Sequence, residues 1–181
     1  LGGLRYTEAD SVSDPNALVT AYARYFEQLG GRLFEADANT LTPNAPWLLQ
    51  TKEGELRADN VVIAMGPWAD VLTSRLGYKR GYHMHYAPAQ GAQLNHPVLD
   101  ADGGYVLAPM ARGIRLTTGA ELAHRDAPKT PVQLNAVEPV ARKLFPLAER
   151  VDAEPWMGAR PCTPDMLPII GPAPHHANMW F

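Results

Sequence analysis

Apolar residues recur at steps of four, four and three within DPNALVTAYARYFEQLGG, residues 14–31. Leu18, Tyr22, Phe26 and Leu29 then share one face of a helix, and the spacing predicts that this face is buried. Asp14 can cap the helix, Pro15 suits its first position, and Gly30-Gly31 can end it in a left-handed turn. The period then changes. RLFEADA (32–38), WLLQT (47–51) and GELRA (54–58) read as short antiparallel strands, the last two split by the turn KEGE. NVVIAM (60–65) is a continuous run, as in a strand buried on both faces. It passes through Gly66-Pro67 into a short helix within PWADVLTSRLG, ending near Gly77.

From residue 78 the alternating pattern returns. GYHMHYAP (81–88) reads as a strand, and GGYVLAPMARGIRLTTGAEL (103–122) as a hairpin turning near Ala111 to Gly113. A second helix is expected within NAVEPVARKLFPLAE, with Asn135 and Glu138 at capping-box spacing and Pro139 in the first turn. A strand turning through glycine into a helix is the start of an α/β nucleotide-binding layer. The fold class is therefore α+β: a mostly antiparallel sheet with flanking helices, plus one partial α/β segment.

Composition narrows the function. The 181 residues suit one domain or one domain and part of another, and 46% hydrophobic residues can build a core. Sixteen basic and 19 acidic residues leave a net charge of −3 with no basic stripe, which argues against a nucleic-acid surface. The single cysteine, Cys162, excludes a disulfide within the chain and a thiolate-rich metal site. The longest apolar run, VVIAM, is far short of the roughly 18–20 residues of a spanning helix. The chain starts at Leu1 without methionine and stops at NMWF, so both ends read as cut from a longer protein.

Most catalytic constellations are missing. His83 and His85 would share a strand face but are one or two ligands short of a metal site, and His175-His176 reads as a solvated turn. There is no Gly-x-Ser-x-Gly elbow, and Cys162 reads as a packed residue. The dinucleotide fingerprint Gly-x-Gly-x-x-Gly is absent. What remains is GARPCTPDMLPIIGP (158–172), where prolines stiffen the chain around one cation, Arg160.

VVIAMGPWADVL, GYVLAP and GARPCTPDMLPIIGP, in this order, resemble the FAD-dependent amino-acid oxidoreductases of the D-amino-acid oxidase type, nearest to D-amino-acid dehydrogenase and glycine oxidase. The resemblance runs from the helix at residue 14 to NMWF. It implies oxidation of a D-amino acid, glycine or an N-methyl amino acid to an imino acid, with hydride transfer to FAD. It gives Arg160 the substrate carboxylate, which a planar guanidinium grips with two parallel hydrogen bonds. Tyr105 would assist, and Tyr86 is a further pocket candidate. Ala64, Gly66, Pro161 and Gly171 would run beside the cofactor.

The same resemblance divides the chain into 1–58 and 78–157 on the substrate side, 59–77 in the FAD layer, and 158–181 returning toward it. Its partners would be the amino acid and the remaining FAD-domain segments, with no nucleic acid and no transmembrane segment. The location would be cytoplasmic or peripheral to the inner face of the membrane. The parent protein is expected to be the enzyme, with this portion alone binding FAD poorly and inactive. The rival expectation is a non-catalytic binding or assembly subunit of the same fold.

Overall fold

A computed structural model of the chain describes residues 2–43, 46–71 and 76–181. Helix α1, Pro15–Gln28, forms where the periodicity places it. The Asp14 carboxylate accepts the Ala17 N–H at 2.9 Å, and Gly30 takes φ +89° beyond the last turn. The predicted buried face is not buried: Leu18 is 42% exposed, Tyr22 67% and Leu29 69%. Spacing identifies an apolar stripe, and among the described residues nothing seals this one.

Strands β1 (Trp47–Thr51) and β2 (Gly54–Ala58) form the expected hairpin, with Thr51 opposite Gly54. RLFEADA is not a strand; it contributes one isolated bridge, Ala36 to Thr51. Strand β3 is only Val61–Val62, and Val62 is 68% exposed, so the two-sided burial expected of NVVIAM is also corrected. A single 3-10 stretch, Gly66–Val71, follows; the rest of the helix expected there falls partly on residues 72–75, outside the described residues.

Strands β4 (Gly77–Pro88), β5 (Val98–Asp100), β6 (Tyr105–Met110), β7 (Gly113–Leu122), β8 (Leu147–Arg150) and β9 (Trp156–Cys162) form one six-stranded sheet. Its order is β5-β6-β7-β4-β8, with β9 also paired to β4. The β6–β7 hairpin turns where predicted, Met110 facing Gly113. Helix α2 is Val132–Leu144, starting three residues before Asn135, so the capping-box reading is corrected. The start is fixed by tertiary contact: the Thr130 N–H donates to the Tyr82 hydroxyl at 2.8 Å. Pro139 therefore lies inside the helix. Strand β10, Met179–Trp180, pairs in parallel with β3.

The chain divides into two compact units. The first comprises residues 1–25, 81–120 and 128–158, and its core joins the sheet to α2 through Tyr82, Met84, Tyr86, Leu107, Leu116 and Leu134. The second comprises residues 26–80, 121–127 and 159–181, with Trp47, Ile63 and Met179 at its centre. Among the described residues no helix is long and apolar enough to cross a membrane.

Candidate functional site

Alternation along β4 sorts its side chains by face. Arg80, Tyr82, Met84 and Tyr86 are buried on one face; Lys79, His83 and His85 stand on the other. On β9, Met157 packs against the first unit's core, so Trp156 and Arg160 point to the opposite side. The His83 ring stacks on Trp156 at 4.6 Å, which identifies the shared face. Lys79 and Arg160 thus lie on the same side of two paired strands.

In the second unit that side opens into a cavity of about 460 Å³. Arg160, Lys79, Gly66 and Pro161 line it, together with Leu76, Ile63, Met166, Leu167, Ile169 and Phe181. Ordering comes from the segment after β9. The Met166 N–H closes a turn onto the Thr163 carbonyl at 3.1 Å, and the Thr163 hydroxyl donates to the Leu167 carbonyl at 2.7 Å. Met166 adopts φ +64°, left-handed backbone that a non-glycine residue occupies at a cost. Among the described residues the Arg160 guanidinium has no hydrogen bond or ion pair, and no acidic residue lines the cavity.

Of the expected site residues, the cavity therefore gathers Arg160, Gly66 and Pro161. Gly66 has φ +56°, and nothing lies within 4 Å of where a Cβ would stand. Its glycine is required by backbone conformation, and the space beside it is open. Ala64 is exposed but does not line the cavity. Gly171 has both backbone groups engaged with Phe181, its N–H donating at 3.1 Å and its carbonyl accepting at 2.9 Å.

Tyr105 and Tyr86 lie in the other unit, 1% and 0% exposed, within its hydrophobic core. Tyr105 stands opposite Asp100 in the β5–β6 ladder. Burial and then the Asp100 carboxylate push its phenol up to about 12, though the hydroxyl makes no well-formed hydrogen bond. Lys79 and Leu76 were not legible as cavity-lining residues. Their sequence context, LGYKRGY, carries no motif, and only pairing with β9 brings Lys79 to the cavity.

A second polar cluster belongs to the first unit. Arg115 Nε donates to His85 Nε2 at 3.2 Å, so the other ring nitrogen, Nδ1, carries hydrogen toward Asp152 Oδ2 at 3.3 Å. Burial, then the Arg115 charge, lowers both histidines, His83 to about 4. Both are neutral near neutral pH. Among the described residues no group of three or more His, Cys, Asp and Glu could hold a metal ion.

The family described as FAD dependent oxidoreductase (DAO) matches residues 1–181. A D-amino acid dehydrogenase from Paramagnetospirillum magneticum is 32% identical over 74% of this chain and 33% of its own length. One from Bradyrhizobium diazoefficiens is 28% identical, covering 98% of this chain and 44% of its own. A glycine oxidase from Pseudomonas putida is 30% identical over 74% of this chain and 38% of its own. The chain thus spans less than half the length of these relatives. In three dimensions it is similar to a glycine oxidase from Geobacillus kaustophilus, with a TM-score of 0.72, 22% identity, and coverage of 90% of this chain and 46% of that one. An L-proline dehydrogenase from P. horikoshii gives 0.73 at 20% identity, over 92% and 49% of the two chains. With a family match along its whole length and the expected α+β fold, the chain belongs to the FAD-dependent oxidoreductases of the DAO type.

Proposed function

We propose that this chain is the substrate-binding portion of an enzyme that oxidises a D-amino acid, glycine or an N-methyl amino acid to the imino acid, and that Arg160 anchors the substrate carboxylate. The observation that supports this is a guanidinium that, among the described residues, is unpaired and shares its cavity with mainly apolar walls and no acid. Exposed and unengaged among the described residues, this guanidinium is available to an anionic ligand.

Two parallel N–H donors fix both the position of a carboxylate and the plane in which it lies. Holding the carboxylate holds Cα, and orientation of Cα is most of what such an oxidation requires. Ile63, Leu76 and Ile169 share the cavity with the guanidinium, and a bound substrate would displace water from between them and strengthen the ion pair. The same walls, with side-chain-free backbone at Gly66, suit a flat ring lying against the chain. Gly66 and Pro161 would flank FAD, with Ala64 and Gly171 further along the same path. FAD, when bound, would accept the hydride that leaves Cα while the amine gives up a proton. The phosphate-binding turn is not in this sequence, so these residues would contribute one side of the cofactor site.

The test uses the protein of full family length that carries this chain. A charge-assisted hydrogen bond contributes about 1.5–3 kcal/mol, so Arg160→Ala should raise KM for the amino acid by roughly 10- to 150-fold. Arg160→Lys should recover part of that, since it restores charge without the planar pair of donors. An unchanged KM in Arg160→Ala would remove the assignment.

A further inference from the structure

The cavity holds a second cation that carboxylate anchoring leaves unused. Lys79 is on β4 and Arg160 on β9, strands that pair directly. Adjacent strands run about 4.8 Å apart, so two side chains on one face of such a pair work on one small molecule. Both line the same cavity, and neither has a hydrogen bond or ion pair among the described residues. Arg80, the next residue, points the other way and is buried against Glu121, so the neighbouring cation is neutralised while Lys79 is not.

Among the described residues the lining therefore carries two positive charges and no carboxylate. One amino-acid carboxylate satisfies one of them. A second anionic group brought in beside Leu76, Ile169 and Phe181 would displace water from around the other cation, and attraction between charges is stronger where water is displaced. A ligand with a second anionic group at its far end would meet both.

We propose that Lys79 is a specificity-determining residue that selects amino acids with an anionic side chain, Arg160 holding the α-carboxylate and Lys79 the distal one. The proposal rests on the role given to Arg160 above. Lys79 contributes a compact point charge on a flexible stem, suited to reading charge at variable reach. Substrates with short and longer acidic side chains should both be accepted.

The experiment compares isosteres in the holoenzyme of full family length. D-Glutamate and D-glutamine differ in charge and hardly in shape, as do D-aspartate and D-asparagine. The wild type should favour each acid over its amide by ten-fold or more in kcat/KM. Lys79→Met should abolish that preference, lowering kcat/KM for the acids at least ten-fold more than for the amides or D-alanine. Equal use of acid and amide by the wild type would overturn the proposal, as would an equal loss on all substrates in Lys79→Met. Binding without turnover gives a second readout: by calorimetry glutarate should bind at least ten-fold tighter than butyrate, and Lys79→Met should equalise them. Loss of carboxylate binding in Arg160→Ala with equal glutarate and butyrate affinities in the wild type would sustain the anchor and refute the role of Lys79. An unaltered Arg160→Ala would refute the anchor itself.

Discussion

Glu121→Ala should be among the most destabilising substitutions in the second unit. Arg80 is 1% exposed, and its Nε donates to Glu121 Oε1 at 2.8 Å, with further donation from the guanidinium to the His124 and Ala127 carbonyls. Removing the carboxylate takes a charged hydrogen-bond partner away from a buried cation. Breaking a buried pair on one side costs about 3–5 kcal/mol. Glu121 keeps 21% of its side chain exposed, so water can replace part of what is lost, and the lower end, about 3 kcal/mol, is expected. Urea denaturation followed by tryptophan fluorescence reads this directly. With a urea slope of about 1–3 kcal/mol per molar, the midpoint should fall by about 1–3 M. The double variant Arg80→Met/Glu121→Leu removes both charges and should recover most of the loss. A fall below about 0.3 M in Glu121→Ala, or a double variant no more stable than the single one, would refute the reasoning.

Two other substitutions probe the first unit. Gly113 has φ +120°, and a Cβ there would stand 2.5 Å from the Tyr86 carbonyl oxygen, so Gly113→Ala should lower Tm by several degrees through both strain and collision; an unchanged Tm would contradict this. His83 is held neutral, its pKa about 4 against 6.5 for a free histidine, chiefly by burial and then by Arg115. As pH falls from about 6.5 toward 4 the unfolded chain takes up a proton that the folded chain refuses, so stability declines through that window. His83→Phe, which can keep the ring against Trp156, should flatten the decline, and an identical pH profile in both proteins would remove His83 as its source.

How much of this was legible beforehand depended on how local the cause was. The α1 boundaries follow from Asp14, Pro15 and Gly30, all within one turn of the helix ends, and the β6–β7 turn follows from Gly113. Where a distant partner decides, local signals misled. Asn135 and Glu138 have capping spacing, yet α2 begins at Val132, and the segment leading into it is held by the Tyr82 hydroxyl, 48 positions from Thr130 in the chain. The β-branched run at 61–63 promised two-sided burial, but only Ile63 is buried and Val62 faces out. Of the cavity lining, Arg160 and Gly66 stood out in the sequence because stiffening prolines mark the first and a Gly-Pro pair after an apolar run marks the second. Lys79 did not, because its position against Arg160 exists only once β4 and β9 pair.

The proposed oxidation and the proposed role of Arg160 meet in one measurement, an anaerobic titration of the flavin absorbance band in the purified protein of full family length. Wild-type protein should be bleached by a D-amino acid, glycine or an N-methyl amino acid, and Arg160→Ala should retain the flavin band but need roughly ten-fold or more substrate to bleach it. Bleaching of both proteins at the same concentration, or of neither by any amino acid, would contradict the proposed function.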